Sequence, residues 1–171
     1  MADTYFWRSV VFPIAHRIVS LNASRELPPS VGIEFDVHAF KDELIVVHDA
    51  FVGGLNLDEF LCLNKERFLA INVKEEGIEE RIIEKANSYN IERFFLFDVS
   101  FPQCFRLGKD FHEHICIRMS QLEKPALEEC KKISSYLWID TFDGTFWMKD
   151  EEIELTKALI YSSSLNSHEY S

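Results

Sequence analysis

The sequence predicts an α/β fold, a trimmed TIM (β/α)8 barrel with short or missing outer helices. Three observations lead there. Eight short apolar runs recur along 171 residues: FPIAHR, VGIEFDV, ELIVVHD, RFLAINVK, RFFLFDVS, HICIRMS, YLWIDT and KALIYSS. From Phe68 onward these runs alternate with amphipathic, capped segments, which is the rhythm of βα units around a parallel sheet. Each run also ends in a polar residue, and a parallel barrel gathers such endings at one rim, where its chemistry sits.

The chain length is that of one domain, expected to span residues 1–171. Hydrophobic residues make up 47% and charged residues 27%, enough for a packed core and too apolar for wholesale disorder. The 15 phenylalanines lie mostly inside the apolar runs, where large rings fill a core. A net charge of −11 excludes the basic face that nucleic-acid binding requires, and disfavours adhesion to anionic membranes. It leaves room for a small anionic substrate held by local cations. Arg8 and Pro13 interrupt the N-terminal apolar stretch, so no cleavable signal is expected; no run reaches the length of a membrane span. Cys62, Cys104, Cys116 and Cys130 show no C-x-x-C spacing. The expectation is a cytoplasmic protein without a stable membrane anchor.

The elements follow in order. Leu21 to Ser30 contains Pro28-Pro29 and reads as a loop with at most a short helix. Asp36 to Ile45 is too short for a helical crossover, so the second and third runs are parallel only if VHAFKDE returns extended. A hairpin is the competing arrangement, and is expected to put Glu34 and His48 at opposite ends. Asn56 to Lys65 begins on an Asn cap. Glu75 to Tyr89 has an acidic first turn and places Ile78, Ile82, Ile83 and Ala86 on one face. Phe101 to Lys109 follows Ser100 and carries Pro102 in its first turn. Pro125 to Ser135 offers Leu127, Cys130 and Ile133 as a core stripe, and Asp150 to Thr156 starts a last short helix. No helix can follow the eighth run unless SLNSHEYS supplies a fragment. Apolar barrel surface is then left for a second copy to cover, unless the chain is truncated after strand eight.

Glu34 and Asp36 are two residues apart on a strand and leave the same face. Like carboxylates side by side call for a cation, and oxygen ligands favour Mg²⁺, Ca²⁺ or Mn²⁺; the bland alternative is a solvated acidic strand end. His16 and His48 each close a run, and imidazole exchanges protons near neutral pH. Arg17, Lys74 and Arg118 bring positive charge to the same rim, for phosphate or for ion pairs with local acids. Asp98 and Asp140 read as strand caps, and His112 and His114 as surface residues at the opposite end. No G-x-S-x-G elbow or nucleotide-binding glycine loop occurs.

The ordered set A-H-R, E-F-D and V-V-H-D resembles the glycerophosphodiester phosphodiesterase superfamily, which includes bacterial phosphoinositide-cleaving phospholipases. LAINVKEEGI, FFLFDVSFP, IRMSQLE and LWIDTF look like a compact bacterial branch of it. The resemblance implies that His16 and His48 are the acid–base pair and that Arg17 holds the phosphate. It makes Glu34 and Asp36 metal ligands, and Lys74 matches a lysine two positions after the family's third acidic ligand. Three positions depart from the pattern. Ile18 replaces the glycine of H-R-G; the usual Glu-Asn is missing from Leu21 to Ser30; and Asn72 stands where the third metal carboxylate belongs. The implied activity is hydrolysis of a small glycerophosphodiester-like substrate assisted by Mg²⁺ or Ca²⁺, with weakened metal affinity. The alternatives are a non-catalytic barrel that binds a phosphorylated sugar or lipid headgroup, and a lyase or isomerase acting on a carbonyl substrate.

Overall fold

The structure is a computed structural model that describes residues 12–156 and 160–163. All eight apolar runs form strands. They are β1 (Ile14–Ala15), β2 (Gly32–Phe40), β3 (Glu43–Val46), β5 (Leu69–Val73), β6 (Phe94–Phe97), β7 (Cys116–Met119), β8 (Tyr136–Asp140) and β9 (Ile160–Ser163), with a further short strand, β4 (Leu55–Asn56), between β3 and β5. The helices are α1 (Leu21–Glu26), α2 (Leu57–Asn64), α3 (Glu79–Ser88), α4 (Phe101–Phe111), α5 (Leu127–Ile133) and α6 (Asp150–Thr156).

The expected closed barrel is not formed. A six-stranded mixed sheet runs β4-β3-β2-β5-β6 with β1 on β2, and a three-stranded parallel sheet runs β7-β8-β9. A single parallel bridge, Leu96 to Ile115, joins them. Among the described residues no pairing links β9 back to β1. The cause lies in the third run. Residues between Asp36 and Ile45 cannot hold a crossover, so β3 folds back on β2 with Phe40 opposite Glu43 and Val37 opposite Val46. One of the eight runs is therefore antiparallel, and eight parallel strands are not available to close a barrel. The SLNSHEYS segment lies outside the described residues, as does the N-terminal stretch read for a signal.

Helix starts follow their chemistry. Asn56 caps α2 by accepting from the Asp58 N–H at 2.8 Å, and Ser20 caps α1 through the Ala23 N–H at 3.2 Å. α3 begins at Glu79, later than the acidic run implies, because Gly77 takes a left-handed turn (φ 96°) ahead of it. Arg67 ties the first loop down: its guanidinium donates to the carbonyls of Ser24, Leu27, Pro28 and Val31.

The six-stranded sheet buries Ile33, Phe35, Val37, Ile71, Phe94 and Leu96 against α2 and α3, including the predicted Ile78, Ile82, Ile83 and Ala86 face. The β7–β8 sheet packs Ile117, Met119, Leu137 and Ile139 against Leu107 of α4 and Cys130 and Ile133 of α5. The other face of both sheets shares one aromatic cluster: Phe68, Phe95, Phe97 and Trp138. Phe97 and Trp138 stack with centroids 4.3 Å apart although β7 lies between their strands. A flat sheet separates alternate strands by roughly 9–10 Å. The two rings therefore lean towards each other across β7.

Candidate functional site

The period of two puts Glu34, Asp36 and His38 of β2 on the face of the aromatic cluster, with Ile33, Phe35 and Val37 on the other. Register sets their neighbours: Glu34 lies beside Ala70 and Asp36 beside Asn72 on β5, and Asn72 beside Phe97 on β6. β1 ends beside β2, and the Ile18 N–H donates to the Glu34 carbonyl at 2.8 Å. The polar endings of β1, β2 and β5 thus meet above the aromatic floor.

Glu34 is at the centre. Its side chain is buried; the Arg17 backbone N–H donates to Oε2 at 2.7 Å, and His16 Nε2 lies 3.6 Å from the same oxygen. Desolvation by burial pushes the Glu34 carboxyl up to about 7, with the Asp36 charge adding to the rise and the Arg17 N–H, Lys74 and Asn72 opposing it. Asp36, also buried, holds the Lys74 ammonium at 2.8 Å. Arg17 sits in the left-handed region at φ 59°, an uncommon backbone state for a bulky residue and one that marks sites where position matters more than comfort.

His48 reaches this end by a route the sequence reasoning excluded. The hairpin turns beyond the sheet's rim, at Lys41-Asp42, and β3 descends again beside β2. The Val47 N–H donates to the Asp36 carbonyl at 3.2 Å, so His48 is the next residue along from a neighbour of Asp36. Its ring is half-exposed and shares a 2.8 Å hydrogen bond with Asp49 Oδ1. The expectation that a hairpin separates Glu34 from His48 is corrected: antiparallel return along the overhang of β2 brings the chain back to the level it left.

Arg118 lies one sheet over, bracketed by acids. Nη1 is 2.8 Å from Asp98 Oδ1, Nε is 2.6 Å from Asp140 Oδ2, and the guanidinium lies over Phe142. Trp138 Nε1 donates to Asp140 Oδ1 at 2.9 Å, fixing that carboxylate. The positive charge of Arg118 is thus offset by two carboxylates. Asp98, like Arg17, closes its strand in the left-handed region at φ 59°.

The sequence reading missed His38 and Glu75. His38 is buried two residues beyond Asp36; its Nδ1 pairs with Glu75 Oε1 at 2.8 Å, and Glu75 Oε2 accepts from the Ala39 N–H. The i, i+2 spacing in E-F-D-V-H was the available signal. The partner, 37 residues away, was not visible in the spacing. His112 and His114 form a 3₁₀ turn before β7, with His114 stacked on Phe94 at 4.0 Å, at the end opposite the candidate site.

A divalent ion at this strand end would meet an oxygen-only donor set of Glu34, Asp36 and Asn72. Glu34 Oε1 and Asn72 Oδ1 are buried and have no hydrogen-bond partner among the described residues. Such orphaned acceptors are costly unless something electropositive meets them. No group of three or more His, Cys, Asp and Glu side chains that could hold a metal ion occurs among the described residues; a cation at Glu34 and Asp36 would need the Asn72 amide as a third protein donor. The set fits a weakly held hard cation. No helix of the described residues is long and apolar enough to cross a membrane. No protein-family model and no curated protein matches this chain.

Proposed function

We propose that the chain is a phosphodiesterase of the glycerophosphodiester type, working at the end of the sheet where β1, β2 and β5 finish. The observation that carries this reading is the convergence of His16, Glu34, Asp36 and Lys74 there, with the β3 return setting His48 one residue past a neighbour of Asp36. Two imidazoles, each beside a carboxylate, lie on the chain following β1 and β3, and an ammonium follows β5; such a set can move protons on both sides of a phosphorus.

The His48 ring shares a hydrogen bond with Asp49, and the His16 ring lies 3.6 Å from the Glu34 carboxyl, within reach of its charge. One imidazole takes the proton from the attacking hydroxyl or water, and the other returns a proton to the departing alkoxide. Lys74, anchored by Asp36, retains further N–H donors for a phosphate oxygen. Arg17 lies beside Glu34 through its backbone and supplies a second cation at the strand end. When bound, a Mg²⁺ or Ca²⁺ ion held by Glu34, Asp36 and Asn72 supplies charge stabilisation for the phosphoryl oxygens. Arg118 is assigned to holding the loops after β6 and β8 together through Asp98 and Asp140, with only its remaining N–H edge left for substrate.

A panel of phosphodiesters, assayed with EDTA and with added divalent ions, tests the proposal on parent, His16→Ala and His48→Ala. Loss of roughly 10²–10⁴-fold in rate for each variant is expected. Equal turnover by variant and parent removes the acid–base assignment, and binding of a phosphodiester without product release replaces it with a non-catalytic anion receptor.

A further inference from the structure

An apolar groove of about 400 Å³ opens between α4 and α5, walled by Phe101, Phe105, Pro125, Ala126 and Ile133, with Glu129 and Lys132 at its edge. Phe101 and Phe105 are 42% and 55% exposed. They stand on the outward side of α4, whose inward side buries Cys104, Leu107 and Gly108 against the core. A single exposed Phe needs no explanation, but two lining one groove mark a contact surface.

The charges around the groove indicate what covers it. The chain carries −11 overall, yet residues 101–135 hold six Lys and Arg against five Asp and Glu, a net of +1, which leaves −12 on the remainder. A second copy of an acidic chain meets less repulsion here than over the rest of its surface. The helix α5 is also its own complement. Glu128 and Glu129 open it and Lys131 and Lys132 close it, symmetrically about Cys130, which is buried against the core. Laid antiparallel on a copy of itself, α5 sets two carboxylates against two ammoniums at each end, and the helix dipoles oppose. Within one chain these groups pair as Glu128 with Lys131 at 3.2 Å and Glu129 with Lys132 at 2.6 Å. Such solvated pairs change partners at little cost.

We infer that this face is a two-fold self-association surface, with α5 antiparallel to its copy and the exposed Phe105 ring of each chain seated in the groove of the other. Ring and groove lie on one patch, as an isologous contact requires, and such a contact closes at two chains. Glu129 and Lys132 bring the complementary charges to the groove's edge, where the rim of the contact falls. Helices of 11 and 7 residues side by side offer a face of about 16 by 20 Å. That is well below the roughly 800 Å² each partner gives a standard interface, so the dimer is weak, dissociating in the micromolar range or above. The inference rests on no reading of the β1–β2–β5 end.

Analytical ultracentrifugation of the whole chain, from low micromolar to submillimolar concentration, tests the inference on parent and three variants. These are Phe105→Glu, the double variant Glu128→Lys with Glu129→Lys, and the double variant Lys131→Glu with Lys132→Glu. Parent should pass from the mass of one chain, 20.0 kDa, to that of two and stop there. Phe105→Glu should weaken association at least tenfold, because the contact loses a ring from both copies. Each charge-reversed protein should stay monomeric alone, since like charges then face each other along the whole helix. An equimolar mixture of the two should recover the dimer, because an all-lysine face then meets an all-glutamate face. A parent that remains monomeric throughout overturns the inference, and so does growth beyond two chains. Association that Phe105→Glu leaves unaltered removes the groove from the contact and overturns it equally. A mixture no more associated than its components refutes the antiparallel pairing. Circular dichroism at low concentration shows which variants are folded; if a charge reversal unfolds α5, the Phe105→Glu comparison decides, and if Phe105→Glu unfolds, the mixture does.

Discussion

Replacing Glu34 with Gln should make the protein more stable at alkaline pH while leaving it nearly unchanged in acid. The carboxyl is buried, and in the folded chain it titrates at about 7 instead of 4.5. The folded state therefore holds this proton more tightly than the unfolded chain does. Stability contributed by the protonated form is complete below pH 4.5 and is lost as pH rises towards 7. At 1.36 kcal/mol per unit, the interval from 4.5 to about 7 is worth about 3 kcal/mol. Gln keeps a carbonyl oxygen for the Arg17 N–H and offers an NH₂ group to the neighbourhood of the orphaned Asn72 Oδ1. Urea unfolding followed by tryptophan fluorescence, at intervals from pH 4 to 8 in EDTA, gives the difference between parent and variant. It should be near zero at pH 4 and grow to about 3 kcal/mol in favour of Gln by pH 8. Adding millimolar Mg²⁺ at pH 8 should stabilise parent and not the variant, because the ion needs the charged oxygen. A stability difference that does not vary with pH refutes the buried, uncompensated carboxyl. A Mg²⁺ effect of equal size in both proteins removes Glu34 from the donor set.

Arg67→Ala should cost about 2–3 kcal/mol by chemical denaturation, since four backbone carbonyls between Ser24 and Val31 lose a charged donor; Arg67→Lys should recover less than half, because an ammonium cannot span them. Gly108→Ala should lower stability by roughly 1–3 kcal/mol, as an added Cβ would sit 2.3 Å from the Ile133 carbonyl oxygen and force α4 from α5; an unchanged Tm would show that the two helices are not in contact there. Of the four thiols, Cys62 alone should react rapidly with a disulfide reagent at pH 8. Burial pushes Cys104 up to about 12, Cys130 up to about 11 and Cys116 well above the usual range. More than one fast equivalent would contradict the packing of those helices.

Local pattern was readable, and pairing was not. The eight apolar runs are all strands because β-rich stretches between turn signals have few other options. The face of α3 was legible from the spacing of Ile78, Ile82, Ile83 and Ala86, and α6 starts at Asp150 as expected. The Asn56 cap was legible because the side chain bonds within its own first turn. Arg118 shows the opposite case. Its strand-end position was visible, but its two carboxylate partners come from β6 and β8, 20 and 22 residues away on either side. Register decides such meetings, and register is set by the whole sheet. The left-handed backbone at Arg17 and Asp98 also left no mark, since neither residue is a glycine.

The hairpin is where sequence logic failed most usefully. Reversing a strand is expected to send its far end to the far side of the sheet. That holds when two strands are of equal length and paired throughout. Here β2 has nine residues and β5 has five, so β2 overhangs its parallel neighbour beyond Val37. β3 pairs with that overhang and the one residue before it, from Val37 to Phe40. Its end falls at the rim, beside Asp36, because the turn lies beyond the rim. The same edge of β2 is shared, with β1 on its first residues and β3 on its last. Edge sharing places the chain after β1, carrying His16 and Arg17, and the chain after β3, carrying His48, against one short stretch of β2 that holds Glu34 and Asp36. An overhang of three residues thus does the work that a full helical crossover was expected to do, and it does so at the cost of the eighth parallel strand.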